Sequence, residues 1–134
     1  MKIEDLNHKH VLFNAVFEET PFKEEHFTCD WILKIVDLIG MEILYKPIAR
    51  RCDHAGNEGI SAFCLITTSH LALHSWEKTK PNFIQFDIYS CKSFDHLLIV
   101  SELKELGGHN IGCSVHNRGI NNTKGWRMVD ENLL

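Results

Sequence analysis

A chain of 134 residues, 44% hydrophobic and 24% charged, has the length and balance of one globular domain, which excludes disordered and fibrous classes. Fourteen Lys and Arg against eighteen Asp and Glu leave a formal charge of −4, opposite to the basic surplus of a nucleic-acid binder. No apolar run approaches the ~20 residues that cross a bilayer, and no basic segment followed by an apolar one opens the sequence. The expectation is a single cytoplasmic domain over residues 1–134, with no membrane or nucleic-acid partner.

Taken in chain order, the first element is a strand over Lys9–Phe17, where Val11, Phe13, Ala15 and Phe17 alternate on one face. After Pro21, Thr28 has the character of a helix N-cap, and Trp31, Ile32, Ile35, Val36 and Ile39 recur at helical spacing up to Gly40. Met41–Ile48 reads as a second strand and Arg50–Gly59 as a long polar loop. Ile60–Thr67, Leu71–Trp76 and Asn82–Ser90 follow as strands. Ser93 is the expected cap of a second amphipathic helix carrying Leu97, Leu98, Val100, Leu103 and Leu106, which Gly107–Gly108 ends. His109–His116 is the last strand. The order β-α-β-β-β-β-α-β predicts an α+β two-layer sandwich, an antiparallel sheet with both helices on one face.

The five cysteines, Cys29, Cys52, Cys64, Cys91 and Cys113, are odd in number and contain no CxxC pair, so they read as single reduced thiols. Nine histidines invite a metal. Yet Cys52 with His54, His70 with His74, and the group His109, Cys113 and His116 match neither a zinc-finger nor an HExxH spacing, and no metal is expected. Walker, GxGxxG and GxSxG patterns are also missing.

The stretch from Gly59 to Cys91 concentrates chemistry. Ser69 stands at a strand end, Ser61 is eight residues earlier, and an even separation along one strand would put both on the same face. His74 would come back beside them across a turn. A hydroxyl, an imidazole and a thiol on adjacent strands suit nucleophile, base and proton donor. Serines and histidines at strand ends are also common for purely structural reasons.

These residues resemble the self-processing region of the small prokaryotic S-adenosylmethionine decarboxylases. Gly59-Ile60-Ser61 is similar to that family's G-[VI]-S segment and Ser69-His70 to its cleavage site. His74-Ser75-Trp76 resembles H-[TS]-W, Ser90-Cys91 the end of the last motif, and Lys9-His10-Val11-Leu12 the opening R-H-[VL]-[LI]. The resemblance covers about residues 8 to 117. It implies cleavage between Thr68 and Ser69, assisted by Ser61 and His74, with Ser69 converted to a pyruvoyl group. That cofactor would capture the amine of S-adenosylmethionine and accept electrons as carbon dioxide leaves, with Cys91 returning a proton, in a homodimer serving spermidine synthesis.

The chain also differs from the pattern. Thr68 stands where the family has glutamate, Glu77-Lys78 where it has P-E, and Lys92 where it has glycine. Glu77 is the expected carboxylate for the positive sulfur. The alternatives are a pyruvoyl-dependent decarboxylase of another amino acid, such as arginine or ornithine, and a non-processing, non-enzymatic homologue.

Overall fold

The computed structural model describes residues 8–119 together with 122, 125–127 and 129. The single-domain expectation for 1–134 therefore extends at both ends beyond the described residues. In chain order the elements are β1 (Lys9–Phe17), α1 (Glu25–Leu38), β2 (Ile43–Cys52), β3 (Gly59–Ile66), β4 (Ser69–Trp76), β5 (Asn82–Ser90), α2 (Leu97–Glu105) and β6 (His109–Asn117). The strands form one sheet in the order β2-β3-β4-β5-β1-β6, every neighbouring pair antiparallel. This is the expected α+β sandwich.

Alternation of residue type builds the two faces. Val11, Phe13, Ala15 and Phe17 of β1, Leu71 and Leu73 of β4, and Ile84, Phe86 and Ile88 of β5 are all buried. They share a core with Trp31, Ile32, Ile35 and Val36 of α1 and Ile99 and Leu103 of α2. Trp31 meets Phe22 and Phe86 edge-on, with ring centroids 5.0 and 5.1 Å apart. Among the described residues no helix covers the opposite face of the sheet, and its apolar side chains Leu12, Phe63 and Leu65 are exposed.

Both helices stop in the same way. Gly40 has φ 71°, its N–H donates to the Asp37 carbonyl, and the N–H of Met41 donates to Val36. Gly107, at φ 91°, repeats the pattern, with Gly107 donating to Lys104 and Gly108 to Leu103. A left-handed residue is required there, and glycine adopts it without steric cost. A Lys34–Glu102 ion pair at 2.8 Å ties the two helices together.

Several boundaries differ from the sequence reading. Helix α1 begins at Glu25, so Thr28 lies inside it, buried, and its hydroxyl donates back to the Glu24 carbonyl at 2.9 Å instead of capping. The second strand is Ile43–Cys52, not Met41–Ile48, because residues 50–52 pair with Gly59–Ser61 instead of looping. Helix α2 begins at Leu97, so Ser93 is not its cap; Asp95 Oδ1 accepts the Leu97 N–H at 3.0 Å.

Candidate active site

Strands β3 and β4 form a hairpin whose two connecting residues are Thr67 and Thr68, with Ile66 opposite Ser69. Ser61 and Ser69 therefore sit on different strands, and the same-strand parity expected from their spacing does not apply. No turn separates Ser69 from His74 either: both belong to β4. Their five-residue separation amounts to about 17 Å at the rise of a strand. The expected cluster is thus divided into two centres within one chain.

The first centre surrounds the Thr68–Ser69 peptide. Ser69 has φ 145°, a positive value that L-residues rarely adopt and that, at a cost of about 1–3 kcal/mol, persists only where its surroundings enforce it. They do so through hydrogen bonds. The N–H of Cys91 donates to the Thr68 carbonyl at 3.0 Å, and the N–H of Thr67 donates to Glu42 at 2.9 Å. The buried Ser90 hydroxyl donates to Thr68 Oγ1 at 3.1 Å, while Thr68 Oγ1 donates to Met41 Sδ at 3.2 Å. Met41 is delivered there by the turn that ends α1. Ser69 pairs with Ser90 across β4 and β5, so Cys91, half-buried, directly flanks the Thr68–Ser69 bond. Sequence reasoning did not find Met41 and Ser90 as supports of this peptide, since only the folded turn brings them beneath it.

The second centre is the pair Ser61 and His74, cross-strand partners on the uncovered face, with Oγ and Nδ1 2.9 Å apart. His74 borders a groove of about 560 Å³ shared with Leu12, Asn14, Gln85 and Ser114. Beside it Trp76 stacks on Phe83, ring centroids 4.5 Å apart, and donates from Nε1 to Asn57 Oδ1 at 2.8 Å.

Gly59, where β3 begins, has no room for a side chain: a Cβ there would lie 1.8 Å from the Ser75 carbonyl oxygen. Ser75 is buried and bridges the Ile60 N–H to the Phe22 carbonyl, at 2.9 and 2.8 Å. This close approach keeps β3 and β4 tightly paired on the side of Ser61 and His74.

Glu77 is placed differently from its expected substrate-facing role. Its side chain is only 6% exposed, and its two oxygens accept from Nη1 and Nη2 of Arg51. The guanidinium beside it holds the carboxyl below its ordinary range. Arg51 also pairs with Asp53 at 2.8 Å, so the Glu77 charge is already neutralised within the chain. Of the remaining cysteines, Cys64 is fully buried and burial pushes its thiol up to about 11, the behaviour of an inert core residue.

The fold is an α+β sandwich, and at the β3–β4 hairpin a serine of unusual backbone conformation follows a hydrogen-bonded carbonyl. The model of the S-adenosylmethionine decarboxylase family matches residues 9–119, and the chain belongs to that family. Similar curated proteins include the S-adenosylmethionine decarboxylase proenzymes of two Clostridium botulinum strains, Langeland and Okra. Each is 29% identical over 77 residues, which is 57% of this chain and 65% of the relative. The matched stretch thus spans less than two thirds of these relatives' length. The crystal structure of the adenosylmethionine decarboxylase from Aquifex aeolicus VF5 has a similar fold, with a TM-score of 0.66 and 17% identity over 87% of this chain and 94% of that one. Among the described residues, no helix is long and apolar enough to cross a membrane.

Proposed function

We propose that this chain is a proenzyme that cleaves itself between Thr68 and Ser69 and then decarboxylates S-adenosylmethionine. The observation that carries the reading is the Cys91 N–H already hydrogen-bonded to the Thr68 carbonyl beside a strained Ser69. Attack by Ser69 Oγ on that carbonyl carbon builds negative charge on the oxygen that Cys91 holds, as an oxyanion donor requires. Proton transfer to the Ser69 nitrogen breaks the C–N bond and leaves an ester. Loss of the Ser69 α-proton then expels the Thr68 carboxylate, and water converts the remaining dehydroalanine to a pyruvoyl group and ammonia.

The residues around position 69 fit such a group, because it occupies the place of Ser69 itself at the edge of the Cys91 loop. When formed, a pyruvoyl group supplies an electron sink for loss of carbon dioxide from a bound amine. Cys91 flanks that position and is the proton donor in this reading. His74, positioned by Ser61, serves as the base.

Because His74, with Ser61 beside it on β3, lies about 17 Å along β4 from Ser69, one chain does not bring its own pair to its own cleavage site. A second copy packed against the uncovered sheet face, with a two-fold axis near the middle of β4, would place the pair of each chain beside Ser69 of the other. Such an arrangement is self-complementary and covers Leu12, Phe63 and Leu65.

Intact mass spectrometry tests the proposal. Purified protein should resolve into residues 1–68 and 69–134, the second blocked at its N-terminus, and Ser69→Ala should remain whole. A persistent 15.5 kDa species from the unmutated chain would overturn self-processing and favour a non-enzymatic relative.

A further inference from the structure

Three side chains of metal-ligating types that no sequence motif connects meet on the uncovered face of the sheet. In the register of three adjacent strands, His10 of β1 and His70 of β4 both lie opposite Tyr89 of β5 and flank it on its two sides. Asp87 is two residues before Tyr89 on the same strand and so shares its face. Both imidazoles aim Nε2 at one carboxylate oxygen: His10 Nε2 is 2.7 Å and His70 Nε2 is 4.0 Å from Asp87 Oδ2. The three donor atoms all lie within 4.8 Å of one another, and all three residues are half-buried. Among the described residues this is the one group of three such donors.

We propose that His10, His70 and Asp87 bind a divalent transition-metal ion of the zinc class. Two imidazoles and a carboxylate make a donor set suited to such ions, and they leave a further coordination position open. Around a tetrahedral ion with bonds near 2.0–2.1 Å, donor atoms stand about 3.3 Å apart. The two His–Asp separations of 2.7 and 4.0 Å bracket that value, so each of these two pairs adjusts by less than about 1 Å. The scaffold suits the task, since three hydrogen-bonded strands fix the backbone positions before any ion arrives. The surroundings also hold the rings. Tyr89 packs against both, with centroids 5.8 Å from His10 and 5.6 Å from His70, and its hydroxyl is 2.8 Å from His8 Nδ1. Arg118 covers the Tyr89 ring at 4.6 Å. Asp87 also borders the groove that His74 lines.

Calorimetric titration of the full chain with Zn²⁺, alongside the visible absorption of its Co²⁺ complex, tests the site. One ion per chain is expected. His70→Ala and Asp87→Asn should each weaken it by at least about 100-fold, a larger loss than that of an outer-shell partner. His54→Ala should bind as the unmutated chain does, with circular dichroism confirming that every variant is folded. No uptake by the unmutated chain, or unchanged affinity in both site variants, would overturn the proposal. Ser69→Ala should bind the ion equally well, which separates this inference from the self-processing reading.

Discussion

The backbone N–H of Cys91 donates to the carbonyl oxygen of Thr68 at 3.0 Å, so the residue proposed to return a proton to substrate also holds the oxygen before the scissile bond. The two roles use different atoms. Substitution Cys91→Ala keeps the amide and removes the thiol. Cleavage should therefore proceed in Cys91→Ala, while turnover falls about 10²–10⁴-fold, as when a general acid is lost. Fragment masses and a carbon dioxide release assay read the two effects separately; full turnover with normal cleavage would mark Cys91 as a structural thiol.

The division between Ser69 and the Ser61–His74 pair predicts complementation between chains. Ser69→Ala and His74→Ala should each stay uncleaved alone. Co-expressed, the His74→Ala chain should be cleaved, because it retains Ser69 and receives His74 from its neighbour. Failure of the mixture to cleave, with both variants folded and associated, would mean that the pair acts within its own chain or not at all.

Gly59→Ala places a methyl group against the Ser75 carbonyl at a backbone φ of 157°. Neither strand can retreat without breaking the β3–β4 ladder. A loss of about 3 kcal/mol or more is expected in urea unfolding, in the range of severe backbone clashes. A change below about 0.5 kcal/mol would show that the hairpin tolerates opening there.

The Arg51–Glu77 pair should make stability depend on acid. The carboxyl of Glu77 is lowered in the folded chain, so the unfolded chain binds the proton more readily. The contribution is complete above the ordinary glutamate range near 4.3 and fades as pH falls through the depressed folded value. Glu77→Gln should lower Tm by about 3–5 °C at pH 7 and by less at pH 3. An equal shift at both pH values would mean that the charge is not what stabilises the pair.

Substrate choice is read by calorimetry with S-adenosylmethionine, arginine and ornithine on one preparation. Binding of S-adenosylmethionine alone is expected. Because Glu77 is occupied by Arg51, it would meet a sulfonium only by exchanging one cation for another. Binding of a basic amino acid in place of S-adenosylmethionine would move the proposal to a different amino-acid decarboxylase.

Much of this was legible in the sequence because it rests on local periodicity. Alternating Val11, Phe13, Ala15 and Phe17 dictated a half-buried strand, and Trp31, Ile32, Ile35 and Val36 dictated an amphipathic helix, since burying one face is what each pattern permits. Gly40 and Gly107 marked both helix ends for a reason internal to the residue. Ordered motifs from Gly59 to Cys91 pointed to the family, and the family model covers them. Helix starts were harder: Thr28 had the chemistry of a cap but was drawn one turn inward, because its position on the helix packs against the core.

Only the tertiary structure decided which of these residues meet. Even spacing could not tell one strand from a hairpin, and the Thr67–Thr68 turn set Ser61 apart from Ser69. Glu77 found Arg51, 26 residues away, because β2 extends past Ile48 and carries the guanidinium to it. His10 and Asp87, 77 residues apart, have no sequence relation at all. Strand pairing is a long-range hydrogen-bond register, and side chains on separate strands become neighbours only when that register forms.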